Sequence, residues 1–177
     1  AGGHNGRDET TTFCLVPMVA KEVSIPVIAA GGIGTGRGML AAMTLGADAV
    51  QIGSRFIATP ESSAHENFKN YILNSKEGDT MLSLKELTPV RLLKNEFYRK
   101  VEEAYQNNAT VEELHALLGR GRAKKGMFEG DLIEGELEVG QVAGLISEIK
   151  PAADVVKEII EEYRSALNEL KEGKLDF

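Results

Sequence analysis

Several features that define other classes of protein are missing from this 177-residue sequence. It has one cysteine, Cys14, so it offers neither a disulfide framework nor a structural zinc site, and we expect no bound metal. Its apolar runs, such as residues 25–30, are far too short to cross a bilayer, so we expect no membrane span. Acidic residues outnumber basic ones by 27 to 20, and the resulting net charge of −7 argues against a nucleic-acid partner.

The rest of the composition fits a folded domain. Hydrophobic residues make up 42% of the chain, which is enough for one packed core of ordinary size. The chain opens on Ala1 and two glycines rather than on a methionine, a pattern expected where a loop leaves a strand. We therefore interpret residue 1 as an internal start. The sparse cysteine usage favours a cytoplasmic location.

Helical and strand patterns alternate in the first third of the chain. Apolar side chains recur with helical spacing over residues 11–23, and residues 25–30 follow as a continuous apolar run. Residues 36–45 then predict a second helix, and residues 49–52 a second short strand. Short apolar strands that alternate with helices predict a parallel α/β sheet, in either a barrel or a doubly wound fold.

So few strands do not make a complete sheet. Two or three parallel strands alone would leave a row of unpaired N–H and C=O groups on each edge. We therefore expect the sheet to be completed by a preceding half of the polypeptide or by a second copy of the chain.

After the second strand the chain changes character. Residues 61–125 are polar and mostly helical in pattern, including a predicted helix over residues 89–101, and predict an appended helical subdomain. Residues 126–140 are rich in glycine and predict a loop with repeated turns. Regular structure returns at residues 142–149, and Pro151 is predicted as the first residue of a terminal amphipathic helix.

The appended subdomain is locally basic, unlike the chain as a whole. Residues 85–125 contain nine basic and six acidic side chains. Such a patch could dock an acidic carrier protein or a nucleotide phosphate, and the alternative is an ordinary solvated helix face. The basic residues are Lys85, Arg91, Lys94, Arg99, Lys100, Arg120, Arg122, Lys124 and Lys125.

Glycine-containing corners follow both predicted strands. Gly31 and Gly32 end the first strand, and Gly53 and Ser54 follow the second. Small residues between a strand and the next helix leave backbone N–H groups able to bind an anion. The last strands of α/β barrels hold a phosphate in this way. The alternative is that these glycines only make tight turns.

The histidines and the cysteine differ in their surroundings. His4 lies in a glycine-rich loop, where an imidazole can face a ligand and act as a proton donor near neutral pH. His65 and His115 fall in polar helical stretches and are interpreted as ordinary surface residues. Cys14 has apolar neighbours, which favours a small buried hydrophobe over a nucleophile.

Three segments together resemble a known family. The order Ala1-Gly2-Gly3-His4, then PVIAAGGI at residues 26–33, then GADAVQIGSRF at residues 46–56 is similar to the FMN-dependent TIM-barrel family of nitronate monooxygenases and bacterial enoyl-acyl-carrier-protein reductase II. The resemblance covers the C-terminal portion of those proteins. It implies an α/β fold, the C-terminal part of a TIM (β/α)8 barrel with a helical lid subdomain inserted after the last barrel strand. The implied division is residues 1–58 for barrel strands and helices, 59–140 for the lid and substrate subdomain, and 141–177 for the return to the barrel.

The same resemblance implies a set of site residues. His4 is the implied catalytic residue, presented toward a bound FMN, with NADH or NADPH as co-substrate. The implied cofactor-binding residues are Gly2, Gly3, Gly31, Gly32, Gln51, Gly53 and Ser54.

The subdomain favours one branch of the family. PVRLLKN at residues 89–95 and GQVAGLI at residues 140–146 look more like the reductase than the monooxygenase. The resemblance then implies NAD(P)H-driven reduction of trans-2-enoyl thioesters in fatty-acid elongation, with His4 stabilising or protonating the enolate. The implied partners are an acyl thioester, an acidic acyl carrier protein, the N-terminal half of the same barrel and further copies of the protein.

One position departs from the family pattern, and two alternatives stay open. Glu138 stands where relatives often have a methionine that covers the flavin ring.

The first alternative to the reductase is a nitronate monooxygenase, which oxidises alkyl nitronates with the same cofactor. The second is a non-catalytic half-barrel that only binds a phosphate.

Overall fold

The computed structural model of the chain describes residues 2, 3 and 8–173. Helices and short strands alternate at first, a β-hairpin and three helices follow, and a long helix ends the described part. The elements are α1 (Thr12–Glu22), β1 (Ile28–Ala30), α2 (Gly36–Thr44), β2 (Ala49–Gln51), α3 (Ser54–Ile57), α4 (Glu66–Leu73), β3 (Thr80–Ser83), β4 (Val90–Leu93), α5 (Glu96–Gln106), α6 (Val111–Leu118), α7 (Arg122–Met127), a 3₁₀ helix (Gln141–Leu145) and α8 (Ala152–Lys171).

The two strands predicted near the start are present and pair in parallel. Ile28 lies opposite Ala49, and Ala30 lies opposite Gln51. This register brings the carboxyl ends of β1 and β2 to the same edge, so the two glycine corners lie side by side. A small apolar core under the strands is formed by Val16, Ala29, Ile33, Ala42 and Ala47.

Helices α2 and α8 pack with their backbones in direct contact. A Cβ atom built on Gly36 would lie only 2.3 Å from the carbonyl oxygen of Ile159 and from the amide nitrogen of Tyr163. Only glycine fits there, because any side chain would separate the helices. The C-terminal helix therefore holds α2, and with it the first glycine corner, in place.

The prediction of a mostly helical subdomain is wrong over part of its length. Residues 89–101 were expected to form one helix, but Val90–Leu93 forms β4, which pairs antiparallel with β3. All four residues of β4 are buried. Asn95 then caps α5 by accepting the N–H of Tyr98 at 2.9 Å. The apolar spacing of residues 90–93 is compatible with a helix or a strand, and pairing with β3 makes them a strand.

Two larger cores lie under the hairpin and its helices. One is formed by the hairpin with α5 and α6, around the fully buried Phe97 and Val101. The other joins Ala58, Phe68 and Ala143, which belong to the three predicted divisions of the chain. The boundaries at residues 58 and 140 stay a prediction.

Three smaller expectations need correction. Pro151 is the residue before α8 and caps it, rather than being its first helical residue. The regular structure predicted over residues 142–149 is a short 3₁₀ helix over Gln141–Leu145. Cys14 is exposed rather than buried, because Val16 is the residue that α1 buries. No helix in the described part of the chain combines the length and the hydropathy of a membrane span.

Candidate functional site

A cleft of about 550 Å³ opens where β1 and β2 end. It is lined by residues from the first described segment, from both glycine corners and from Val142 of the 3₁₀ helix. His4 lies outside the described residues, so its role stays a prediction. All seven residues predicted to bind the cofactor line this one cleft: Gly2, Gly3, Gly31, Gly32, Gln51, Gly53 and Ser54.

The corner after β1 requires glycine for conformation and for space. Gly31 and Gly32 have φ values of +93° and +75°, a region that side chains disfavour. A Cβ atom on Gly31 would lie 3.0 Å from the amide nitrogen of Gly2. The hydroxyl of Thr12 donates to the carbonyl oxygen of Gly31 at 2.7 Å, which ties the corner to the start of α1.

The N-terminus of α2 is less open to an anion than its sequence suggests. The N–H of Gly36 donates to Glu162 Oε2 at 2.6 Å, and that of Gly38 donates to Thr35 Oγ1 at 3.0 Å. Protein acceptors therefore already cap this helix, which corrects the expectation that its first N–H groups are free. Within the described residues, the N–H groups of Gly32 and Gly53 have no such acceptor. The corners themselves are the part suited to bind an anion.

The corner after β2 combines open space with a hydroxyl group. A Cβ atom on Gly53 would meet no atom within 4 Å, so the backbone there faces the cleft without obstruction. Ser54 begins α3, and its Oγ accepts the N–H of Gly140 at 2.9 Å. This bond joins the corner to the glycine-rich loop that ends the subdomain.

The segment just before His4 is held by the hairpin. The carbonyl oxygen of Gly3 accepts the N–H of Arg91 at 2.7 Å, and the carbonyl oxygen of Arg91 accepts the N–H of Val139 at 3.1 Å. The Arg91 side chain is buried and donates to the carbonyl oxygen of Thr80 at 3.2 Å. Burial lowers its pKa, and the nearby charge of Glu9 opposes that effect. One residue of β4 thus bonds both to Gly3, which lines the cleft, and to Val139 in the loop that follows α7.

Glu136 and Glu138 are two of the acidic residues in the loop that follows α7. Glu138, the departure from the family pattern, forms an antiparallel bridge with Leu92. Glu136 is 6% exposed, and burial raises its pKa to about 7, with the charge of Glu138 adding to the effect and Arg122 opposing it. Burial thus favours the protonated form of the Glu136 carboxyl group.

The other two histidines, His65 and His115, lie in a helix cap and on an exposed helix face. His65 caps α4, its Nδ1 accepting the N–H of Asn67 at 3.1 Å, and Gly130 packs directly on its ring. His115 lies on the exposed side of α6. Among the described residues, no group of three or more His, Cys, Asp or Glu side chains could hold a metal ion.

The predicted basic patch is largely neutralised. Six of its nine cations form ion pairs with acidic residues. Of the three that form none within the described part of the chain, Arg91 is buried, which leaves Lys94 and Arg120 as exposed cations without an ion pair. The pairs are Lys85–Glu9, Arg99–Glu96, Lys100–Glu134, Arg122–Glu134, Lys124–Glu129 and Lys125–Asp131.

Three features of the site were not predicted from the sequence. They are the anchoring role of Arg91, the bond from Thr12 to Gly31 and the bond from Gly140 to Ser54. Each joins residues that are distant along the chain, and no local pattern signals such a contact.

The fold and the cleft define the class of protein. Neighbouring parallel strands that end in glycine corners around one cleft are typical of the phosphate-binding end of an α/β barrel. The chain is accordingly part of a TIM barrel of mixed α/β architecture, its C-terminal portion.

Comparison with known proteins identifies the family. The family model described as nitronate monooxygenase matches residues 1–162, and the chain belongs to this family. It is 32% identical to a probable nitronate monooxygenase of Staphylococcus saprophyticus, over 95% of this chain and 50% of the relative. A second probable nitronate monooxygenase, from Staphylococcus haemolyticus, is 41% identical over 61% of this chain and 33% of its own length.

Solved structures agree with this assignment. FabK from Thermotoga maritima is 43% identical with a TM-score of 0.86, covering 97% of this chain and 54% of that protein. A nitroalkane oxidase from Streptomyces ansochromogenes is 31% identical with a TM-score of 0.75, covering 96% of this chain and 51% of that one. The chain thus spans about half the length of these relatives.

Proposed function

We propose that the cleft binds FMN and that the protein is a flavin-dependent oxidoreductase. The observation that carries this proposal is the convergence of three separate segments, each of which supplies small residues, on one cleft. Its volume lies within the range common for cofactor sites. The residues present fit the cofactor, because the open backbone at Gly53 and the glycine-only corner at Gly31 allow a phosphate to approach the main chain closely.

Five of the residues that line the cleft have a definite role under this proposal. The N–H groups of Gly32 and Gly53 and the hydroxyl of Ser54 bind the phosphate, since together they offer three donors and no negative charge. Gln51, at the end of β2, and Gly2 are placed to contact the rest of the cofactor. The flavin, when bound, supplies the redox chemistry, and the protein supplies binding and orientation.

The reaction proposed is NAD(P)H-driven reduction of trans-2-enoyl thioesters. The greater identity to FabK than to the nitroalkane oxidase, 43% against 31%, supports this branch, as does the resemblance of the subdomain noted above. His4 is the proposed residue that stabilises or protonates the enolate. The bond from the Arg91 N–H to the Gly3 carbonyl holds the backbone of Gly3, the residue that precedes His4 in the sequence.

The second candidate function is the oxidation of alkyl nitronates. It is favoured by the description of the matching family model and by the names of the curated relatives. A non-catalytic phosphate-binding half-barrel is the third. All three use the same cleft, so only the cofactor and the substrate distinguish them.

One experiment separates the three candidates. The full-length protein is purified, its absorption spectrum recorded, and the reduced enzyme mixed without oxygen with a crotonyl thioester. We expect flavin bands that bleach with NAD(P)H and return with the thioester. Oxygen uptake that depends on a nitronate, without nicotinamide, would favour the monooxygenase instead. A colourless protein whose melting temperature is unchanged by FMN would overturn the flavin proposal.

Replacement of His4 tests the catalytic assignment. His4→Ala is expected to lower the rate with the thioester by about 10²- to 10⁴-fold, the usual contribution of a general acid, with the flavin still bound. His115→Ala is the matched control, because His115 is exposed on α6 and is not among the residues that line the cleft. Equal rates in the two variants would contradict the role of His4.

The partners follow from the same proposal. Phe13, Ile25 and Ile28 are between 62% and 70% exposed, and we propose that the N-terminal half of the barrel covers them. The acyl carrier protein remains a proposed partner, with Lys94 and Arg120 as the cations available to it. Assembly into a homo-oligomer and a cytoplasmic location stay predictions from the sequence.

A further inference from the structure

The bond between Gly140 and Ser54 links two parts of the molecule. The segment 137–140, here called the lid strip, runs along β4: the N–H of Leu93 donates to the carbonyl oxygen of Leu137 at 3.0 Å, and Val139 bonds to Arg91 as described. The N–H of its last residue, Gly140, donates to Ser54 Oγ at 2.9 Å. The lid strip therefore reaches the proposed phosphate corner through one hydroxyl group.

The Ser54 hydroxyl can accept a hydrogen bond from Gly140 and donate one to an anion in the cleft at the same time. A serine hydroxyl has one hydrogen to donate and two lone pairs that accept. Gly140 uses one lone pair, and the hydrogen has no acceptor among the described residues. A hydroxyl that already accepts a bond is polarised and becomes a better donor. The bond from Gly140 thus both orients Ser54 toward the cleft and strengthens it as a donor to an anion.

We propose that Gly140 is a positioning residue that couples the lid strip to the phosphate of the bound cofactor through Ser54. This inference rests on the proposed FMN site and extends it to control of the lid. A bound phosphate holds the Ser54 hydroxyl, which holds the N–H of Gly140, so the cofactor orders the strip that carries Glu138. Riboflavin lacks the phosphate and cannot engage the hydroxyl in this way.

The backbone of Gly140 allows the N–H to be removed selectively. Its φ of −76° is close to the −65° fixed by proline, so Gly140→Pro deletes the donor without demanding a new conformation. Gly140→Ala is the matched control because it keeps the N–H. Relative to Gly140→Ala, we expect Gly140→Pro to bind FMN about 2- to 10-fold more weakly, the value of one neutral hydrogen bond. Riboflavin affinity should be the same in both variants.

A double-mutant cycle tests whether the effect passes through Ser54. Ser54→Ala alone should weaken FMN binding by roughly 10- to 100-fold, since it removes a donor to a charged group. In that background, Gly140→Pro should cause no further loss relative to Gly140→Ala. Independent, multiplying losses would show that Gly140 acts by another route and would overturn the coupling.

Hydrogen exchange of the lid strip supplies a readout that does not depend on activity or on the proline variant. In the full-length protein, FMN should slow exchange at residues 137–142, and riboflavin should not. The protection should disappear in Ser54→Ala and persist in Ser54→Thr, which keeps the hydroxyl. Equal protection by FMN and riboflavin would overturn the coupling while leaving the FMN site intact. No binding of FMN by the wild type would overturn the proposed function itself, and the coupling with it.

Discussion

We expect Glu136 to lower the free energy of unfolding as the pH rises. Its carboxyl group is buried, and its pKa is raised from the usual 4.5 to about 7 by burial and by Glu138. The folded protein therefore favours the protonated form. The stabilisation that protonated Glu136 provides is fully present below pH 4.5 and is lost as the pH rises toward and through 7.

The size of the effect follows from the displaced pKa. At 1.36 kcal/mol per pKa unit, a rise from 4.5 to about 7 corresponds to about 3 kcal/mol in the free energy of unfolding above pH 7. Glu136→Gln imitates the neutral carboxyl group at every pH. We expect the variant to be more stable than the wild type by up to about 3 kcal/mol at pH 8 and about equally stable at pH 4.5.

Urea unfolding followed by circular dichroism between pH 4.5 and 8 measures this difference. Glu134→Gln is the matched control from the same loop. The pKa of Glu134 is lowered, first by its hydrogen bond with Lys100 and further by Arg122, so its replacement should destabilise the protein at pH 8 and have less effect in acid. Wild type and Glu136→Gln with parallel pH profiles would refute the assignment of a raised pKa to Glu136.

Two further substitutions test the packing of α2 against α8 and a hydrogen bond to the backbone of Leu84. Gly36→Ala should lower the free energy of unfolding by about 1–3 kcal/mol or more, because its Cβ would lie 2.3 Å from the Ile159 carbonyl oxygen. Gly38→Ala is the control and should be close to neutral, because its Cβ would have no neighbour closer than 3.3 Å. Equal melting temperatures for the two variants would contradict this. Tyr105→Phe should cost about 1–3 kcal/mol in urea unfolding because the Leu84 N–H loses its acceptor at 2.9 Å; an unchanged midpoint would show that the bond contributes nothing.

Much of the barrel portion could be predicted because its signals are local. A glycine with φ of +93° at residue 31 and an apolar run before it are readable within a few residues, since backbone sterics and strand periodicity act over short distances. The hairpin could not be predicted in this way. Residues 90–93 carry an apolar spacing that fits a helix, and only pairing with residues 80–83 makes them a strand.

The α/β class, the two glycine corners and the resemblance to the family can be recognised from the sequence, because residue type and order carry that information. Which polar groups remain available to a ligand depends on contacts that form only when the chain folds. The N-terminus of α2 is capped by Glu162 from a distant helix, six cations of the basic patch are paired, and Ser54 accepts from Gly140, 86 positions away. The physical reason is that hydrogen bonds and ion pairs depend on distances of a few ångströms between groups, and folding sets those distances for residues far apart along the chain.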